Sequence, residues 1–179
     1  MITLVVGGSR SGKSRFAERL AARCAADMDR GSVHYVATAV VDPGDDDHIV
    51  RVAAHRAARP ATWETHEPEP SDLPALLRRL DGLVLLDALG SWIAAHDEFA
   101  ADCNALAVAI SMRVGDTIVV SDEVGLAVHP PTELGRRFAD AVGRANQCIA
   151  DVADHVYLVV AGHAVPLQSL DSVSESWQP

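Results

Sequence analysis

Cysteine is scarce and unsuitably spaced. The 179 residues hold three, Cys24, Cys103 and Cys148, an odd number with no C-x-x-C pair, so neither a disulfide framework nor a zinc site is indicated. Aromatic residues make up 4% of the chain, leaving an apolar mass of Ala, Val and Leu. That mixture suits helices packed on a parallel sheet, whose doubly buried strands read as Val/Leu runs. Basic blocks are also missing. The net charge is −10, which excludes the electrostatic footprint of a nucleic-acid binder. An acidic chain binds a polyphosphate only where backbone N–H groups and a few Lys or Arg reverse the local field. No apolar run reaches membrane-spanning length, and no basic segment with an apolar signal core precedes the first strand. A reducing cytoplasm is the expected setting. There is no internal repeat.

What remains is rich in short apolar runs, with 49% hydrophobic residues, enough for one self-sufficient core. Ile2–Val6, Val33–Ala37, Leu83–Leu86, Thr117–Ser121 and Val156–Val160 read as buried strands. Helical patterns lie between them at Lys13–Ala26, Asp46–Ala58, Leu73–Leu80, Asp102–Arg113 and Leu134–Val152. Alternation of this kind predicts an α/β fold, one domain over residues 1–167 with a mostly parallel, wound sheet flanked by helices; the loop motif after the first strand makes the expected domain P-loop NTPase-type. Residues 168–179 form a polar, acidic tail expected to fray.

The chemistry starts directly after the first strand. Gly7-Gly8-Ser9-Arg10-Ser11-Gly12-Lys13-Ser14 matches G-x-x-x-x-G-K-[ST] without a departure. Glycines let successive N–H groups turn inward onto phosphate oxygens. Lys13 is placed for the β/γ-phosphates and the Ser14 hydroxyl for Mg²⁺, while the following helix aims its positive end at the same anion. Such a loop needs a second acidic group for the metal. Leu83-Val84-Leu85-Leu86-Asp87 supplies one, an apolar strand ending in a carboxylate. Asp122 and Glu123 end a later strand on what should be the same C-terminal sheet edge, where ligands of α/β sheets bind.

A second cluster lies on the helix that must stop before Arg59-Pro60. His48, Arg51 and His55 share one face of it, and Arg59 follows near its end. A neutral imidazole attacks phosphorus without first losing a proton and forms a labile phosphoramidate suited to onward transfer. A solvated helix face would show the same pattern.

Taken together, the residues resemble the bifunctional adenosylcobinamide kinase/adenosylcobinamide-phosphate guanylyltransferase family of cobalamin biosynthesis, from about Ile2 to Leu167. The resemblance is carried by the P-loop, by Tyr35-Val36-Ala37-Thr38, and above all by Arg51-Val52-x-x-His55-Arg56-x-x-Arg59-Pro60-x-x-Trp63-x-Thr65-x-Glu67. Glu123-Val124-Gly125, Arg137-Phe138-x-Asp140-x-x-Gly143-Arg144-x-Asn146-Gln147 and Ala153-Asp154-x-Val156 extend it. It implies phosphorylation of the aminopropanol hydroxyl of adenosylcobinamide with ATP or GTP. Transfer of GMP from GTP through a histidine to the cobinamide phosphate then gives adenosylcobinamide-GDP.

His55 matches the guanylylated histidine, and Lys13 is implied as the second catalytic residue. Nucleotide contact is implied for Gly7 to Ser14, for Ala37, Thr38 and Ala39, for Arg56, Ala57, Ala58, Arg59 and Glu67, and for Asp87. A carboxylate at Glu67 can accept the guanine N1–H and exocyclic amine. Mg²⁺ falls to Ser14 and Asp87, and a homo-oligomer, a trimer, is implied. This chain departs from the family's pattern in three places: Asp122 where Asn is common, Gly44–His48 in place of an acidic-Met segment, and Ser169–Pro179 in place of a terminal Lys. Two other readings stay open on the residues alone, a P-loop kinase of another small molecule and a nucleotide-driven switch module. A base for the hydroxyl could be Asp87, Asp122 or Glu123.

Overall fold

Apolar runs too short for helices become strands here, and the amphipathic stretches between them become the helices that cover both faces. The computed structural model describes residues 1–27, 33–38, 44, 50, 53, 56, 59–126 and 130–176. Strands β1 (Ile2–Gly7), β2 (Val33–Ala37), β3 (Glu64–His66), β4 (Leu83–Asp87), β5 (Thr117–Asp122), β6 (His155–Val160) and β7 (His163–Leu167) form one sheet. Their order is β3-β2-β4-β5-β1-β6-β7. All neighbours are parallel except β6 and β7, which make an antiparallel hairpin.

The helices are α1 (Lys13–Asp27), α2 (Leu73–Leu77), α3 (Leu89–Ala94), α4 (Cys103–Ser111), α5 (Glu133–Ala150) and α6 (Leu170–Ser176). Period-2 alternation along the strands divides the core into two layers. Leu4, Val6, Val36, Val84, Leu86 and Val119 face Leu73 and Leu77 of α2, Leu89, Trp92 and Ile93 of α3, Leu106 and Ile110 of α4, and Val142 and Ile149 of α5. Val5, Tyr35, Leu85, Ile118 and Val120 face the other way, onto Ala17 and Ala21 of α1. Side chains at the starts of α4 and α5 cap them, Asp102 accepting from the Ala105 N–H and Thr132 from the Gly135 N–H.

The five expected strands and four of the five expected helices are present, with no end moved by more than three residues. Most of the fifth, Asp46–Ala58, lies outside the described residues; its described positions Val50, Ala53 and Arg56 are helical. Strands β3 and β7 and helices α3 and α6 were not expected. The tail that was expected to fray carries α6, on which Leu170 is 87% exposed.

At the N-terminal edge of the sheet, Arg113 ties three turns together. Its guanidinium donates to the carbonyls of Leu77, Leu80 and Gly82 and to Thr117 Oγ1. Burial lowers its pKa from the ordinary guanidinium value, with Asp81 and Asp116 acting in the opposite sense. Arg113→Ala leaves those acceptors without a charged donor. We expect a loss of about 2–3 kcal/mol in urea denaturation, from bonds to a charged group, with nucleotide affinity unchanged at the opposite sheet edge.

Candidate nucleotide and transfer site

The loop between β1 and α1 folds as its glycines require. Gly12 sits at φ +96°, against Gly162. A Cβ on Gly7 would lie 2.6 Å from both Ser11 Oγ and the Val159 carbonyl, so only hydrogen fits there. The Ser11 N–H donates to the Gly8 carbonyl at 3.2 Å, and the Gly162 N–H donates to the Ser11 carbonyl at 2.8 Å. The loop is thus pinned to the β6–β7 turn. Ser11 Oγ is buried without a hydrogen-bond partner, an unmet polar group inside a cradle shaped for phosphate oxygens.

Parallel winding brings the carboxylates to the same edge. Asp87 ends β4, and although β5 separates that strand from β1, α1 lies across β4 and β5. Ser14 Oγ is 3.3 Å from Asp87 Oδ1. Two hard oxygen ligands so close, beside a polyphosphate loop, fit a Mg²⁺ ion. Asp122 ends β5 opposite Gly7, and its Oδ1 lies 2.9 Å from Lys13 Nζ. Lys13 also donates to the Gly8 carbonyl at 3.3 Å. Asp122 is held in place by Asn146, whose Nδ2 donates to its carbonyl at 3.0 Å, and by close contact with Gly90. Glu123 points elsewhere: its carboxylate accepts from the Gly125 N–H, closing a local turn.

The ion pair has a consequence. Asp122 neutralises the ammonium that a polyphosphate needs and adds a negative charge of its own. Asp122→Asn is expected to tighten Mg²⁺–GTP binding about 5–10-fold by removing that repulsion, read by titration calorimetry. Weaker binding would mean that the Asp122 carboxylate belongs to the bound state.

Thr38 lies just past β2 and binds the end of β4: its N–H donates to the Asp87 carbonyl at 2.9 Å and its hydroxyl donates to the Ala88 carbonyl at 2.6 Å. Thr38 is therefore a brace for the Asp87 strand end, beside Ala37, which pairs with Asp87.

The residue that sequence reasoning missed is Tyr35. An aromatic in an apolar strand reads as core, and its ring is buried. Its hydroxyl, however, donates to Asp87 Oδ2 at 2.5 Å. Burial, then the Asp87 carboxylate, push its pKa well above the ordinary value, so the phenol keeps its proton. On its other side the ring carries the Arg59 guanidinium 3.5 Å from its centroid and stacks with Trp63 at 6.3 Å.

Arg59 and Trp63 open a second space. With Arg56, Pro60, Thr65 and Glu67 they line an open cavity of about 470 Å³, a size that accepts a nucleoside. Arg56 pairs with Glu67, and Arg59 Nη1 reaches Thr65 Oγ1 at 3.5 Å. Three expected contact residues, Arg56, Arg59 and Glu67, therefore share one cavity. Tyr35 joins that cavity to Asp87 at the phosphate cradle. His55 immediately precedes Arg56 in the chain. His55, Ala39, Ala57 and Ala58 lie outside the described residues, as do His48 and Arg51.

Comparison with known proteins agrees with this arrangement. The flagellar accessory protein FlaH from Methanocaldococcus jannaschii superimposes with a TM-score of 0.51 at 13% identity, over 93% of this chain and 77% of that one, a likeness of fold. The bifunctional adenosylcobalamin biosynthesis protein CobP of Pseudomonas aeruginosa is 40% identical over 177 residues, 94% of this chain and 98% of that protein. The bifunctional adenosylcobalamin biosynthesis protein CobU of Salmonella typhimurium is 36% identical, over 94% of this chain and 100% of that protein. The family model described as cobinamide kinase / cobinamide phosphate guanyltransferase matches residues 3–167. With the P-loop, its carboxylates and the adjoining cavity inside that span, the chain belongs to the cobinamide kinase / cobinamide phosphate guanyltransferase family.

Proposed function

We propose that this chain carries out both reactions on adenosylcobinamide: phosphorylation with ATP or GTP, then GMP transfer from GTP through His55 to give adenosylcobinamide-GDP. The observation that carries the reading is the joining of two spaces through one residue, with Tyr35 bonded to Asp87 at the phosphate cradle and stacked beneath Arg59 at the second cavity.

In the first step the aminopropanol hydroxyl oxygen attacks the γ-phosphorus. The bond to the bridging oxygen breaks, the nucleoside diphosphate leaves with that electron pair, and the hydroxyl proton passes to solvent or a site carboxylate. Lys13 and the N–H groups of Gly7–Ser14 hold the charge of the phosphates, as positioning and neutralisation are most of what phosphoryl transfer demands. Mg²⁺, held by Ser14 and Asp87, supplies further neutralisation of that charge when bound.

In the second step an imidazole nitrogen of His55 attacks the α-phosphorus of GTP. Pyrophosphate leaves with the electron pair of the broken bond, the ring gives up a proton, and a phosphoramidate remains. An oxygen of cobinamide phosphate then attacks that phosphorus, the P–N bond breaks, and the histidine is regenerated. Glu67 accepts the guanine N1–H and amine in place of its present partner Arg56, whose released guanidinium is available to phosphate. Arg59 over Tyr35 is already fixed for that task. A homo-oligomer, a trimer by family resemblance, working in the cytoplasm completes the reading. Val165 and Leu167 on β7 and Leu170 on α6 are among the exposed apolar side chains of the described residues, and such an interface would cover them.

Intact-protein mass spectrometry after incubation with GTP and Mg²⁺, quenched at neutral or mildly basic pH, tests it. A GMP-sized mass gain that ATP does not produce is expected. A folded, GTP-binding protein without that gain overturns the transferase half and leaves a kinase or a switch.

A further inference from the structure

Strands β2 and β3 carry a second cluster, on the sheet face opposite the nucleotide cavity. β3 alternates Glu64, Thr65 and His66, so Thr65 lines the cavity while Glu64 and His66 share the other face. On β2, His34 stands in register with Glu64, two residues before Val36, which belongs to the multi-helix layer of the core. His34 Nδ1 is 3.1 Å from His66 Nε2 and 3.4 Å from Glu64 Oε2, and His66 Nε2 is 3.6 Å from Glu64 Oε1. One ligand atom from each residue lies within 4.8 Å of the others.

We infer that His34, Glu64 and His66 form a Zn²⁺ site that clips β3 to β2. Metal–ligand bonds of about 2.0–2.2 Å at tetrahedral angles separate the ligand atoms by roughly 3.3–3.6 Å; His34 Nδ1 lies 3.1 Å from His66 Nε2 and 3.4 Å from Glu64 Oε2, at or close to that range, while the carboxylate's other oxygen is 3.6 Å from His66 Nε2. Two imidazoles and one carboxylate are a ligand set that suits zinc in both softness and charge, since they bring a single negative charge to a divalent cation. Both histidines are mostly buried, at 18% side-chain exposure, while Glu64 is exposed. The fourth position therefore faces water. A hydrogen bond between the two imidazoles accounts for the 3.1 Å contact, and the register of β3 on β2 brings the Glu64 carboxylate alongside both rings, completing a set of three donors. The consequence is mechanical. β3 has three residues and sits at the sheet edge, and it delivers Thr65 and Glu67 to the nucleotide cavity. A metal clip on its far face holds that wall in place.

The test uses the full chain saturated with Mg²⁺ and GTP, so that the phosphate site is occupied and guanine binding can be followed separately. Co²⁺ is titrated as a spectroscopic probe, then displaced with Zn²⁺. The expected result is one equivalent of Co²⁺ with the intense visible absorption of a tetrahedral site, bleached by Zn²⁺, and a Zn²⁺-dependent rise in Tm. His66→Ala should weaken the metal affinity by more than the roughly 10–100-fold typical of losing an outer-shell partner. Because that variant removes a mostly buried ring, Glu64→Gln serves beside it: an exposed, near-isosteric change that should lower affinity and alter the spectrum while the fold stays intact. No tetrahedral band in the wild-type chain overturns the site. A band that survives in both variants overturns it equally, by placing the metal elsewhere. Neither result touches the phosphate cradle or His55, so this inference and the proposed function fail separately.

Discussion

His55→Ala should abolish the covalent GMP adduct and lower formation of adenosylcobinamide-GDP by at least about 10³-fold, the loss of a nucleophile rather than of a binding contact. Phosphate transfer to adenosylcobinamide should survive within a few-fold, because the groups assigned to it are Lys13, Ser14, Asp87 and the loop amides, none of which His55 replaces. The split decides between readings. If His55 only helped to bind nucleotide, both activities would fall together through a higher KM. If the chain were a kinase alone, the wild-type protein would show no adduct to lose. Mass spectrometry of the adduct and separate assays of the two products, run on the same preparations, distinguish all three. Tyr35→Phe is an informative companion, because it removes the bond to Asp87 but keeps the ring that supports Arg59 and Trp63.

How much of this was legible beforehand depends on how far apart the cooperating residues lie. The phosphate cradle is contiguous, so Gly7–Ser14 announce it in one line of sequence. Asp87 is legible because an apolar run ending in a carboxylate is a recognisable local pattern. Tyr35 is not. Its role needs β2 to pair with β4, which puts its ring beside the Asp87 strand end, and nothing within a few residues of Tyr35 says so. The ion pair between Lys13 and Asp122 is similar: it follows from β5 lying next to β1, a fact of topology. The unexpected elements failed for physical reasons of their own. Glu64-Thr65-His66 is a three-residue edge strand without an apolar face, and β7 contains Pro166, which a central strand excludes but an edge tolerates. Helix α3 spans six residues, too few for a helical period to emerge.

Lys13→Ala is the change expected to act most broadly. The ammonium is the one cation that the sequence motif commits to the phosphates, and it sits in a water-poor loop with 12% side-chain exposure. In that setting a charge acts at low effective dielectric and stabilises a developing phosphoryl charge far more than a surface lysine would. Removing one such preorganised donor costs about 10²–10³-fold in turnover, and here the cost should fall on phosphate transfer. The variant also strips Asp122 of its partner at 2.9 Å, leaving a carboxylate facing the polyphosphate. Nucleotide affinity should therefore drop as well. The double variant Lys13→Ala/Asp122→Asn separates the two effects: it should regain much of the lost affinity, since the repulsion is gone, yet stay slow, since nothing replaces the ammonium at the transferred phosphate. Recovery of turnover along with affinity would show that Lys13 acts by offsetting Asp122 and not by contacting the reacting phosphate. Calorimetry for binding and single-turnover assays for transfer, on the wild type and three variants, form a double-mutant cycle in which coupling between neighbours is expected. A cycle that closes additively in binding would mean that the ion pair has no bearing on how the nucleotide is held.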